Sequence, residues 1–162
     1  MEAAIERYVS IAPEALACGK EAMKTVLLID DNDEYRESVR CILEGEGLEV
    51  LDTDCPDTAF SMLHSIGAPD LIICDVHMPF TTGPDREEFE TSYNVGIKTL
   101  HELSWVYPDT PLIAMSAAER EHLKEIKKSL DPIPAYQKPS RLKDMVEMVC
   151  TFLVSKDFGG MH

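Results

Sequence analysis

The stretch Asp70-Leu71-Ile72-Ile73-Cys74-Asp75-Val76-His77-Met78-Pro79 constrains the fold more than any other. Leu71 to Cys74 are apolar without alternation, the mark of a strand buried on both faces, as in a parallel sheet covered by helices. The run ends abruptly in the carboxylate of Asp75. Ligands of open α/β sheets gather outside the carboxyl ends of the strands, so Asp75 is placed for chemistry rather than for core packing.

A second run of this kind, Thr25-Val26-Leu27-Leu28-Ile29, also ends in carboxylates, Asp30 and Asp31. Asn32 and Asp33 cap a helix to about Glu44, with Val39, Ile42 and Leu43 facing inward, and Gly45 and Gly47 stop it. Leu48 to Leu51 reads as a strand. Pro56 and Asp57 open a helix on which Ala59, Phe60, Leu63 and Ile66 keep helical spacing, and Gly67 and Pro69 end it before the Asp75 strand. From Pro79 to Val95 the pattern lapses: Phe80 to Pro84 is turn chemistry, and Asp85 to Glu90 is strongly acidic. Ile97, Leu100, Leu103 and Val106 then mark a helix. Trp105 and Tyr107 close it and are expected in the core or at its edge.

Pro111 to Met115 forms the next strand and ends at Ser116. Residues 119–130 make a charged helix with Leu123, Ile126 and Leu130 inward. Ile133 to Gln137 is a short strand leading to Lys138-Pro139, and a last helix runs from about Ser140 to Leu153. Strand and helix alternate five times. That order specifies a parallel sheet with right-handed crossovers and helices on both faces.

The length, 162 residues, suits one domain, residues 23–155, with a short extension before it and a tail, 156–162, after it. In residues 1–22, Ile5, Tyr8, Val9 and Ile11 form an amphipathic pattern broken near Pro13, compatible with docking on the domain or with a homodimer. No apolar run is long enough to cross a bilayer, and the acidic start does not read as a secretory leader. A net charge of −15 argues against a phosphate-backbone footprint on nucleic acid and suits a basic protein partner or a bound cation. The five cysteines form no Cys-x-x-Cys pair and read as reduced thiols in the cytoplasm.

Four of the five strands end in a reactive group: Asp30 and Asp31, Asp75, Ser116, and Lys138. In a parallel sheet these ends share one edge. Clustered carboxylates repel by about 4 kcal/mol for a pair at ~4 Å in an effective dielectric of about 20, so they hold protons or a cation. All-oxygen ligands favour Mg²⁺. A carboxylate nucleophile, a divalent cation, an ammonium and a hydroxyl together suit phosphoryl transfer to an aspartate. Taken singly, each has a plainer reading: Asp as a turn residue, Ser116 as the cap of the following helix, Lys138 as a solvated charge.

Four segments, Leu28-Ile29-Asp30-Asp31, Ile73 to Pro79, Ala114-Met115-Ser116-Ala117 and Gln137-Lys138-Pro139-Ser140, closely resemble the receiver domains of two-component response regulators. The resemblance spans roughly residues 24–153. It implies a flavodoxin-like, doubly wound (βα)5 fold with a five-stranded parallel sheet of order 2-1-3-4-5. It also implies that Asp75 accepts a phosphoryl group from a histidine kinase or phosphotransfer protein, and that a downstream protein reads the result. Asp31, Asp75 and the His77 backbone carbonyl would hold Mg²⁺, with Asp30 assisting through water. Ser116 and Lys138 would contact the phosphoryl oxygens, and the Lys138–Pro139 bond would be cis. Such a chain signals by protein contact, in a chemotaxis-type single-domain form, and is not classed as an enzyme.

Two departures from that pattern stand out. Receivers carry an aromatic three residues before the lysine, where this chain has Ala135; Tyr136 comes one residue later, which in a strand faces it the other way. The glycine before the third helix matches both Gly83 and Gly96, leaving residues 84–95 as an insertion beside the site. Two rival readings follow from the same residues. One is a pseudo-receiver that binds without phosphotransfer. The other is a haloacid-dehalogenase-type phosphatase, which would need an acid where His77 stands.

Overall fold

The computed structural model describes residues 23–79, 93–139 and 141–158. Residues 1–22 and 84–92, for which a terminal helix and most of an insertion are expected, lie outside the described residues, as does Gly83. Five strands form one sheet: β1 (Thr25–Ile29), β2 (Glu49–Thr53), β3 (Leu71–Asp75), β4 (Leu112–Ser116) and β5 (Ala135–Gln137). All pairings are parallel and the order is β2-β1-β3-β4-β5, as expected.

Helices α1 (Asp33–Gly45), α2 (Pro56–Ile66), α3 (Tyr93–Val106), α4 (Arg120–Leu130) and α5 (Leu142–Phe158) connect and follow the strands. Their ends obey local rules. The Asn32 side chain accepts from the Tyr35 amide at the start of α1, and Pro56 opens α2 where its missing N–H costs nothing. In α4, Glu121 lies in the first turn and Lys127 and Lys128 in the last, each matching the helix dipole.

Strand alternation divides the core into two layers. On one side of the sheet Leu27, Ile29, Ile72 and Cys74 pack with Ala59, Leu63, Leu100, Leu103, Ile126 and Leu130 of α2, α3 and α4. On the other, Val26, Leu28, Leu71, Ile73, Ile113 and Met115 pack with α1 and α5 through Val39, Leu43, Met145, Val149 and Leu153. Residues 71–75 and 112–116 are buried along their whole length, which is why they lack alternation.

Several expected details change. β2 runs on to Thr53 because its polar end still pairs with β1, Leu28 with Asp52 and Ile29 with Thr53. β5 shortens to three residues, although the Pro134 carbonyl still accepts from Ala114 N–H. Trp105 is 87% exposed, not packed in the core, and Val106 is also exposed. The inward stripe of α3 passes from Leu100 and Leu103 to Tyr107, whose N–H bonds the Leu103 carbonyl and whose ring packs on the core. The cis peptide among the described residues is Asp131–Pro132, not Lys138–Pro139.

Candidate functional site

The register of the sheet assembles the site. Ile29 pairs with Cys74, so Asp30 and Asp75 end neighbouring strands side by side. Asp75 pairs with Met115, and Ser116 pairs with Gln137, which brings Lys138 to the same edge. The ladder continues past the strands: Val76 N–H donates to the Met115 carbonyl at 2.9 Å, and Lys138 N–H to the Ser116 carbonyl at 2.8 Å. Five residues separated by more than a hundred positions therefore meet on rigid backbone.

Asp30, Asp31 and Asp75 offer carboxylate oxygens that all lie within 4.8 Å of one another. Asp30 is 1% exposed and Asp75 4%. Two such buried carboxylates require a positive neighbour. Lys138 provides it, with Nζ 2.8 Å from Asp30 Oδ2 and 3.0 Å from Asp75 Oδ2. Neutral donors complete the shell: Asn32 N–H to Asp30 Oδ1 at 3.0 Å, and His77 N–H to Asp75 Oδ1 at 3.2 Å.

The electrostatics show how finely the charges are balanced. Burial raises the pKa of Asp75; Lys138 pulls it back, Asp30 adds to the rise, and the net shift is upward. For Lys138, burial works against the ammonium, but Asp75 and Asp30 outweigh it and the pKa rises. The donor set is all oxygen. Cys74 does not contribute a thiolate, since burial holds its thiol protonated and it donates to the Asp75 carbonyl at 3.3 Å. Three convergent carboxylates with one flexible cation between them fit a hard divalent ion such as Mg²⁺.

Ser116 is fully buried, and its Oγ accepts from Ala118 N–H at 3.1 Å, which leaves the hydroxyl proton available for an acceptor at the site. His77 is exposed, and the groups that converge at the site are the carboxylates of Asp30, Asp31 and Asp75. Ala135 is buried beneath α4, while Tyr136 turns to the other face and meets Phe152 edge-on, with ring centroids 6.3 Å apart. The displaced aromatic is thus a matter of strand alternation.

Two residues at the site went unremarked in the sequence. Lys138 Nζ stands 4.8 Å from the centre of the Tyr35 ring. Arg36 donates through Nη1 to the Asp30 carbonyl and through Nε to Asp52. Tyr35 could have been sought on α1, because it heads the inward stripe that continues through Val39 and Leu43, whereas Arg36, one position on, lies off that stripe.

Comparison with known proteins agrees with this geometry. Residues 26–88 match the family model of the response regulator receiver domain. Over those residues the chain is similar to receiver domains. The fold is that of solved receivers: a CheY-like response regulator receiver domain from Methanospirillum hungatei matches with a TM-score of 0.69 at 18% identity, over 86% of this chain and all, 100%, of that one. The response regulator TrrA of Thermotoga maritima, solved in complex with Mg²⁺–BeF, matches with a TM-score of 0.62 at 22% identity, over 80% of this chain and 99% of that one. The chemotaxis response regulator CheY4 of Vibrio cholerae gives 0.63 at 21% identity, over 81% and 99%. No significant sequence match is found among curated proteins. Among the described residues no helix is long and apolar enough to cross a membrane.

Proposed function

We propose that this receiver takes a phosphoryl group onto Asp75 from a phosphohistidine on a histidine kinase or phosphotransfer protein. The observation that carries the reading is Lys138, whose ammonium bridges Asp30 and Asp75 at the edge where the strand ends converge. In the step, an Asp75 carboxylate oxygen attacks phosphorus. The P–N bond breaks, its electron pair stays on the imidazole nitrogen, which takes a proton, and an acyl phosphate remains on Asp75.

Each residue has a task in that step. Asp30, Asp31, Asp75 and the His77 carbonyl would hold Mg²⁺. When bound, the ion neutralises the carboxylates and the transferring oxygens. Lys138 turns from the carboxylates toward a phosphoryl oxygen, and the Ser116 hydroxyl donates to another. We assign this chemistry to residues 23–155 and read the domain as a signalling module of the cytoplasm that acts through protein contacts, not as an enzyme with turnover. Cys41, Cys55, Cys74 and Cys150 form no disulfide among the described residues, which suits a reducing compartment.

Intact mass after incubation with acetyl phosphate and Mg²⁺ tests the reading. The native chain gains one phosphoryl group, and Asp75→Asn or a chelator abolishes the gain. No gain, under conditions that phosphorylate a control receiver, would instead make the domain a binding module without phosphotransfer.

A further inference from the structure

Among the described residues, the buried side-chain polar atom with no hydrogen-bond partner is the hydroxyl of Tyr35. Leaving a buried donor unpaired costs stability, so the side chain is kept there for something other than its hydroxyl. Its ring shows what. The Lys138 ammonium lies over the ring face at 4.8 Å, and the same nitrogen contacts Asp30 Oδ2 and Asp75 Oδ2. The ammonium thus sits in a cup with two charged walls and one aromatic wall.

We propose that Tyr35 is a positioning residue, whose ring face holds the Lys138 ammonium at the acidic cluster. The proposal rests on the reading of Asp75 as phosphoacceptor only for its consequence, not for its geometry. Lysine has a flexible four-carbon stem and a point charge, so carboxylate contacts alone fix it weakly once one carboxylate is modified. A π face attracts a cation without demanding one direction. The ammonium can therefore swing from Asp75 to an incoming phosphoryl oxygen without leaving the ring. The ring stays neutral throughout, because burial first, then Asp30 and Asp75, oppose ionisation of the phenol.

Two measurements on the native chain, Tyr35→Phe and Tyr35→Leu separate the possibilities. One is the rate of phosphoryl gain from acetyl phosphate with Mg²⁺; the other is the rate at which an amine-acylating reagent labels Lys138, read by peptide mass. Tyr35→Phe keeps the ring and matches the native chain in both, with a melting temperature no lower. Tyr35→Leu gains phosphate roughly three- to tenfold more slowly and exposes Lys138 to labelling by a similar factor. If Tyr35→Leu does not fold, Tyr35→Met takes its place with the same expectation. Native labelling of Lys138 in the ring-less variant overturns the proposal, and so does a Tyr35→Phe as impaired as Tyr35→Leu. Should the native chain gain no phosphate at all, the phosphoacceptor reading fails, and Lys138 labelling still decides the role of Tyr35.

Discussion

Arg36 and Asp52 form the clamp that fixes the acidic loop: Arg36 Nε lies 2.8 Å from Asp52 Oδ2, while Nη1 of the same guanidinium donates to the Asp30 carbonyl at 2.6 Å. Asp52 also accepts from Arg40 at 3.0 Å, and Arg36 Nη2 reaches Asp33 at 2.7 Å. The edge strand β2 is thereby tied through α1 to the backbone of the residue that begins the site.

Removing Asp52 tests the clamp. Both partners are mostly buried, so the pair exceeds an ordinary surface ion pair. Asp52→Ala should lower stability by about 1–2 kcal/mol in urea denaturation. It should also weaken Mg²⁺ binding, since the Asp30 carbonyl loses an anchor only while Arg36 is free to move. Unchanged stability and metal affinity together would show that the clamp is not needed.

Gly96 makes a sharper demand. It lies in α3 against the backbone of Val76, and a Cβ there would overlap the Val76 carbonyl group and Cα. Alanine would gain about 1 kcal/mol of helix propensity but would push the helix off the end of β3, at about 3 kcal/mol. Gly96→Ala is therefore destabilising, and Gly45→Ala, in a helix with open space around it, is neutral or stabilising. Thermal melts of the two variants that moved in the same direction would contradict this. Gly96 is one of the two glycines that match the family position before the third helix; the other, Gly83, lies outside the described residues.

These contrasts show what a sequence can carry. β1 and β3 were legible because each is an unbroken apolar run closed by a carboxylate, and period and punctuation are local properties. The convergence of Asp30, Asp31, Asp75 and Lys138 followed from parallel topology alone. What remained hidden depends on neighbours. Asp52 looks like a loop residue until β2 is known to lie beside β1, and Trp105 looks like core until α3 is seen to turn its stripe onto Tyr107. The Tyr35 contact needs β5 and α1 to approach the same edge, which no spacing within α1 expresses.

Thiol chemistry offers an independent check on the core. Cys41 is exposed on α1, whereas Cys55 and Cys74 are buried, and burial raises the Cys74 thiol further from ionisation. Alkylation of the native chain should label Cys41 quickly and Cys74 more slowly by about a thousandfold or more, the ratio set by opening of a domain of ordinary stability. Comparable rates, followed by peptide mass, would mean that β3 is not the central strand.

The charge balance at Asp75 predicts how stability responds to metal. Burial, with a further push from Asp30, penalises the ionised Asp75, and Lys138 recovers only part of that cost. In metal-free buffer Asp75→Asn should therefore be at least as stable as the native chain, because the amide carries no charge to desolvate and Lys138 keeps its pairing with Asp30 at 2.8 Å. The amide oxygen can still accept from His77 N–H, so the loop need not rearrange. Magnesium should reverse the order. An ion held by Asp30, Asp31 and Asp75 stabilises the native chain by about 1.4 kcal/mol at ten times its Kd, and the variant, short of one carboxylate, gains less. Thermal melts of both chains in chelator and in Mg²⁺ measure the crossing; equal shifts for the two would place the ion away from Asp75.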